Sequence, residues 1–206
     1  MNDLLAALFD RCMAGAEAGP LGEWRAFLLA PVAGDVLELG AGTGSNLPHY
    51  GPHVGRLVLA EPSAPMRRRL QTKVDAQQRL VEVAPHAAER LDFPDGSFDV
   101  VVATLVLCSV GDQAVALAEA RRVLRPGGRL VFLEHVAAAP GTPLLRAQQL
   151  VDPVWSRLAG NCHLTRQTGD AIAAAGFEIE QVDAAQMPST LPWVRPTVRG
   201  QAVRVG

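Results

Sequence analysis

Cysteine is scarce in this chain. Its 206 residues include three, Cys12, Cys108 and Cys162, odd in number and far apart. They give neither a disulfide framework nor a zinc-ligand spacing, so no metal is expected. A reducing, cytoplasmic setting suits them. Long apolar runs are also missing. No stretch approaches the ~20 residues of a membrane span. The longest run near the amino terminus, Leu4 to Phe9, is bounded by Asp3, Asp10 and Arg11, unlike a secretory signal. The expectation is a soluble chain with no transmembrane segment. Charge of one sign is lacking too: the formal net charge is −2, which offers no electrostatic footing for nucleic acid. The basic run Arg67-Arg68-Arg69 fits a solvated helix face. No repeat or linker-like composition divides the sequence. Residues 1–206, 49% of them hydrophobic, suit a single domain with a packed core.

Leu4, Leu5, Leu8, Phe9, Cys12 and Met13 recur at helical spacing and predict an amphipathic helix. Gly19-Pro20 breaks it, and a second helix carries Trp24, Phe27 and Leu28 and ends before Pro31. The period then changes. Val36 to Leu39, Arg56 to Glu61, Leu80 to Ala84, Phe98 to Thr104 and Arg129 to His135 are short runs rich in Val and Leu. Helical patterns separate most of them, most clearly at Met66 to Val74 and Gln113 to Leu124. Runs that are apolar throughout suit strands covered on both faces, and their alternation with helices implies a parallel α/β sheet. Pro126-Gly127-Gly128 reads as a stop between helix and strand. Residues 137–163 interrupt the alternation with Pro140-Gly141, Pro143 and Asp152-Pro153, and with a helix around Leu144 to Val151. A last helix runs from Thr165 or Thr168 to Ala175, where Gly176 ends it, and strands near Glu178 to Val182 and Val198 to Arg204 close the chain.

The most informative segment is Val36-Leu37-Glu38-Leu39-Gly40-Ala41-Gly42-Thr43-Gly44-Ser45-Asn46. A buried strand enters a turn whose glycines allow a sharp bend and close approach to a ligand. A helix is expected to begin there, its amino-terminal N–H groups favouring an anionic group. A lone G-x-G-x-G is weak evidence, since dinucleotide-binding folds use similar loops. Two acids sharpen it: Glu38, two residues before the first glycine, and Glu61, at the end of the next strand. A carboxylate at Glu38 is an awkward neighbour for a pyrophosphate and a useful one for an ammonium. Glu61 can accept bonds from a pair of ribose hydroxyls under either reading.

The loop, Glu61-Pro62-Ser63-x-x-Met66, Leu91-x-Phe93-Pro94-Asp95-Gly96-Ser97-Phe98-Asp99 and Arg122-Val123-Leu124-Arg125-Pro126-Gly127-Gly128 together resemble the class I S-adenosylmethionine (SAM) dependent methyltransferases, over about residues 34–134. The resemblance implies an α/β fold: a doubly wound, seven-stranded Rossmann-like sheet with the last strand antiparallel. It also implies SAM as cofactor, which carries no phosphate, with S-adenosylhomocysteine as product. The cofactor residues it implies are Glu38, Gly40, Ala41, Gly42, Gly44, Asn46, Glu61, Pro62 and Met66. Further on they are Ala88 and Glu89, which lie in the adenine-contacting segment, and Thr104, Leu105 and Cys108. Many relatives have an Asp where this chain has Ala87, so that carboxylate contact to the adenine amino group is missing.

A narrower resemblance rests on Thr104-Leu105-Val106-Leu107-Cys108-Ser109-Val110, Glu134-His135-Val136-Ala137-Ala138, Gln148-Gln149-x-x-Asp152-Pro153-x-Trp155, Cys162-x-Leu164-Thr165-Arg166, and Arg195-Pro196 through Ala202-Val203. These are similar to mammalian methyltransferase-like proteins that methylate alkyl thiols. Those proteins have an amino-terminal membrane anchor, which is not expected in this sequence. The expected partner is a small-molecule acceptor, first of all a thiol. N- or C-methylation of an amine, quinone precursor or lipid headgroup, and a non-catalytic SAM-binding module, are the alternatives.

Methyl transfer mainly requires that nucleophile and activated methyl be held in line. A thiol of pKa ~8.5 is already a few per cent ionised at neutral pH and needs little base assistance. The candidate base is His135, at the carboxyl end of a central strand, with His163 as a second candidate. Either is equally readable as a hydrogen-bonded structural histidine. Cys162 and Trp155 are candidate acceptor-pocket residues, and Arg166 either holds an acidic acceptor group or pairs with Asp152. Cys108 and Cys162 read as small buried or pocket-lining residues, because no Cys/His/acid set is visible around them. Residues 1–32 and 137–163 are expected to cover the acceptor.

Overall fold

A computed structural model describes residues 11, 14–77, 80–187 and 190–206. The helix expected over the first dozen residues, Cys12 included, lies almost wholly outside the described residues; residues 14–17 are helical. Helix α1 is Pro20–Leu29. The strands are β1 (Gly34–Leu39), β2 (Val54–Ala60), β3 (Val81–Ala84), β4 (Phe98–Thr104), β5 (Leu124–His135), β6 (Phe177–Gln186) and β7 (Pro196–Arg204). Helices α2 (Ala64–Asp75), α3 (Gln113–Val123), α4 (Pro143–Leu158) and α5 (Thr168–Ala174) lie between them. The strands form one sheet in the order β3-β2-β1-β4-β5-β7-β6, parallel except for β7, which runs against both β5 and β6. This is the doubly wound, Rossmann-like topology of class I methyltransferases.

Apolar runs became central strands because each face of the sheet carries its own core. Leu37, Leu39, Val101, Ala103, Leu130 and Phe132 pack on one side, with Leu117 and Ala120 of α3 and Ile172 of α5. Val36, Leu57, Leu59, Val100, Val102 and Val131 pack on the other, with Leu29 of α1 and Leu70 and Val74 of α2. Strict alternation puts Glu38 and Thr104 on this second side. The helix caps follow local chemistry: Asp112 accepts from the N–H groups of Ala114 and Val115, and Thr142 from that of Leu145.

Three local expectations need correction. No α-helix follows the glycine loop: only a 3₁₀ turn, Leu47–His49, forms before β2. Pro48 and Gly51-Pro52 cut the segment short, and the Asn46 side chain is committed elsewhere. Pro126-Gly127-Gly128 does not precede its strand but lies inside β5, where pairing with β4 shifts register between Leu124 and Arg129. Finally, α4 continues through Pro153 to Leu158, well beyond Val151.

One fully buried side chain docks α4. Gln148 donates to the carbonyls of Val136 (3.1 Å) and Trp193 (2.9 Å) and accepts from the N–H of Ala138 (2.7 Å). Gln148→Leu keeps the volume but strands these three backbone groups. It should lower stability by about 2–4 kcal/mol, read as a shift of the urea unfolding midpoint at unchanged slope.

Candidate active site

The strand order reverses between β1 and β4, the place where open α/β sheets bind ligands beyond the carboxyl ends of their strands. A cavity opens there, between loop residues 40–43, Glu38, Asn46 and the Thr104-Leu105 step, with Glu17 and Arg25 across it. Gly40 (φ +57°) needs to be glycine, since a Cβ would lie 2.3 Å from a Val106 methyl; Gly42 (φ +59°) has open space where its Cβ would go. Leu105, also at positive φ, is the non-glycine exception at the cavity.

The buried wall of the cavity is a polar network. Glu38, 2% exposed, accepts from Asn46 Nδ2 (3.0 Å) and the Tyr50 hydroxyl (2.7 Å). Asn46 Nδ2 also donates to Thr104 Oγ1 (2.8 Å). Arg25 donates to Asn46 Oδ1 (2.6 Å) and Thr104 Oγ1 (2.8 Å), and forks onto both oxygens of Glu17 at 3.0 Å. Burial pushes the Glu38 carboxyl from its ordinary 4.5 up to about 7, against the bond from Tyr50, the Arg25 charge and the bond from Asn46. Glu61 lies just behind the loop, its oxygens accepting from the N–H groups of Gly42 (2.9 Å) and Ser63 (2.7 Å). Burial raises its pKa as well, opposed by those bonds.

A second centre sits at the ends of β4 and β5. Fully buried Glu134 accepts from the N–H groups of Val106 (3.0 Å), Leu107 (2.9 Å) and Cys108 (3.2 Å), fixing the segment that leaves β4. His135 Nε2 lies 2.7 Å from Cys162 Sγ, and Trp155 Nε1–H donates to the same sulfur at 3.4 Å. Cys108, 1% exposed, completes the cluster: its sulfur, the Cys162 sulfur and a His135 ring nitrogen all lie within 4.8 Å of one another. Tetrahedral zinc ligands keep N and S about 3.5 Å apart, given bonds of about 2.0 and 2.3 Å. The 2.7 Å contact between His135 and Cys162 is closer than that ligand spacing.

The neighbouring Cys108 thiol pulls the Cys162 thiol well below the usual range, and His135 and Trp155 add to this against the cost of burial. Cys108 is pushed up by the same contact with Cys162 and by burial. Burial lowers the His135 pKa, but the Cys162 sulfur outweighs it and the net shift is upward.

The cavity thus brings together Glu38, Gly40, Ala41, Gly42, Asn46, Thr104 and Leu105 of the residues expected around the cofactor. Gly44, Glu61, Pro62, Met66, Ala88, Glu89 and Cys108 are not among its lining. Glu89 caps the N–H of Gly111 (2.6 Å), and Ala88 is packed in the core. His163 Nδ1 faces Asp152 at 3.2 Å. Arg166 does not pair with Asp152; it binds the carbonyls of Leu107 and Val110. Arg25, Glu17 and Tyr50 were not read from the sequence as site residues. A signal existed for Arg25: it stands four residues after Leu21 and four before Leu29, both fully buried, so it shares their stripe.

A methyltransferase domain family matches residues 37–132. The human thiol S-methyltransferase TMT1B is 40% identical over 176 residues, covering 82% of this chain and 70% of that protein. Among solved structures, a SAM-dependent methyltransferase from Thermotoga maritima, titled a possible histamine N-methyltransferase, aligns with a TM-score of 0.71 at 21% identity, over 98% of this chain and 97% of that one. The [4+2]-cyclase SpnF aligns at 0.70 with 19% identity, over 90% and 80%. At such identities the structures speak for the fold alone. The chain belongs to the class I SAM-dependent methyltransferases of the type 11 superfamily, related to the thiol S-methyltransferases. It is an enzyme that passes a methyl group from SAM to a small-molecule acceptor.

Glu38 sets a pH dependence of the ligand-free fold. Its folded pKa is raised, so its stabilising contribution is complete below about pH 4.5, the ordinary value, and is lost as pH rises through about 7. Relative to Glu38→Gln, the parent should lose about 1.4 kcal/mol per pH unit across that window and run parallel above it. Urea unfolding of both proteins at a series of pH values measures the difference.

Proposed function

We propose that this enzyme methylates the sulfur of a small thiol, with SAM held in the cavity at the ends of β1 and β4. The observation that carries the cofactor placement is the buried Glu38 carboxyl beside a glycine loop that no helix follows. Such a site has no helix amino terminus for a pyrophosphate, and its carboxylate is suited to an ammonium group. SAM supplies a methyl group already activated by its sulfonium. Glu38 would hold the ammonium, Gly42 would let the ligand approach the backbone, and Glu61 would use its remaining lone pairs for ribose hydroxyls. Arg25 and Asn46 position Glu38 and Thr104 from behind.

The thiol assignment is supported by the thiol S-methyltransferase relative, 40% identical over 82% of the chain. The state of His135 supports a reaction without a general base. Its Nε2 is engaged by Cys162, and His135 is not among the residues that line the cavity. The acceptor then reacts as its own thiolate. Residues 137–163 would cover it, with Trp155, edge-on to Trp193 at 6.4 Å, as part of the wall. A cytoplasmic setting belongs to this reading and is supported by the free thiols of Cys108 and Cys162. No helix among the described residues is long and apolar enough to cross a membrane.

Gly42→Asn tests the cofactor site, because Asn tolerates positive φ and its side chain would enter the cavity. SAM affinity by calorimetry should fall at least about tenfold, or 1.4 kcal/mol, with the unfolding midpoint little changed; unaltered affinity removes this site. For the acceptor, a series of thiols of graded pKa should give pH–rate midpoints at subsaturating acceptor that move with the substrate. A midpoint fixed near 6.5 for every thiol and abolished by His135→Ala would restore a histidine base. Amines or phenols methylated with much higher kcat/KM than any thiol would end the thiol assignment.

A further inference from the structure

The Cys162 sulfur is surrounded by groups that a packing or pocket-lining role does not call for. Two ring nitrogens converge on it, His135 Nε2 at 2.7 Å and Trp155 Nε1 at 3.4 Å, and a second thiol, Cys108, stands within reach. The two cysteines are unequal: Cys108 is sealed in the core, whereas Cys162 is half-buried on the connection between α4 and α5. That connection is stapled to the segment carrying Cys108. Asn161, at φ +67°, donates through its side chain to the carbonyls of Ser109 (2.8 Å) and Val110 (3.3 Å), and the N–H of His163 donates to the Cys108 carbonyl (2.8 Å). The bonds on either side of Cys162 therefore tie its connection to the segment that carries Cys108.

We propose that Cys162 and Cys108 form a thiol–disulfide exchange pair, in which Cys162 attacks small organic disulfides and Cys108 resolves the product. The Cys162 thiolate attacks one sulfur of the disulfide RS–SR. A Cys162–S–SR bond forms, the RS–SR bond breaks, and the leaving thiolate RS⁻ takes a proton from the imidazolium of His135. Cys108 then gives its proton to the freed Nε2 of His135 and attacks the Cys162 sulfur. The Cys108–Cys162 bond forms, and the second RS⁻ leaves and is protonated in turn. The protein thiols lose two electrons and two protons, and the small disulfide becomes two thiols. Forming the bond draws the sulfurs from their present separation to about 2.05 Å, and takes Cys162 out of its contact with His135.

The chemistry of the pair fits these roles. A thiolate is the attacking species in exchange, and cationic or N–H donors favour it. The two ring nitrogens here converge on the sulfur of half-buried Cys162, while the resolving thiol stays protonated in the core. The half-reaction does not depend on which acceptor the methyltransferase uses, so its test is separate from that of the proposed function.

The experiment treats the reduced, full-length protein with oxidised glutathione and reads it by intact mass and peptide mapping, which separates these sulfurs from Cys12. The expected product is a linked Cys108–Cys162 peptide with no retained glutathione. Cys108→Ser should instead stop at a single glutathione adduct on Cys162. In the unmodified protein, iodoacetamide at about pH 6 should label Cys162 at least about tenfold faster than Cys108, a measurement that needs no variant. Independent adducts on both cysteines, equal labelling rates, or a stoichiometric metal ion protecting the cluster from labelling would each overturn the proposal.

Discussion

The carboxyl group of Glu38 is the point on which the cofactor-side architecture depends. It projects from the middle of the sheet with only 2% of its surface exposed, and a chain of polar side chains around the cavity is organised about it. Asn46 reaches back from the glycine loop, Tyr50 from the 3₁₀ segment's end, and Arg25 from α1 through Asn46 and Thr104. A buried acid with too few partners would be expelled or would unravel its surroundings. With these partners it becomes a clasp joining an amino-terminal helix, a loop and two strands. The loop needs no helix to fix it because this network does so instead.

A second buried acid does comparable work one strand away. Glu134 collects three consecutive backbone N–H groups from residues 106–108, and this cradle explains how Leu105 can stand at positive φ. Strain at one residue is affordable where its neighbours on both sides are held. The short path 104–108 thus joins both centres: Thr104 belongs to the Glu38 network and Cys108 to the thiol cluster. A shift at either end is transmitted through a segment with little freedom to absorb it.

Much of the sheet was legible because its strands are buried on both faces and so announce themselves as apolar runs. Phe98 to Thr104 is the same strand in sequence and structure. The carboxyl-end placement of Glu38, Glu61, Thr104 and His135 followed from that alone. What could not be read depended on tertiary partners. The helix after the glycine loop failed because Pro48 and the obligations of Asn46 outweighed the family-like pattern. Arg25 was hidden by its charge, which reads as surface until its partners Glu17, Asn46 and Thr104 are known. The approach of His135 to Cys162 joins positions 27 residues apart on separate elements, and no local spacing encodes it. Asp152 was visible, but its choice of His163 and the Leu164 N–H over Arg166 was not.

The antiparallel strand β7 has a bearing on how the molecule is made. β5 carries Glu134 and His135, and its open side is filled by β7, with His135 opposite Thr197 and Val136 donating to the Pro196 carbonyl. During synthesis β5 therefore emerges long before its neighbour and waits with an unpaired, apolar edge. At a translation rate of about 5–20 residues per second, that wait lasts several seconds. An edge of this kind is a template for wrong pairing between chains. The strand that completes the catalytic side of the sheet is thus also the one whose late arrival ends the nascent chain's exposure to aggregation.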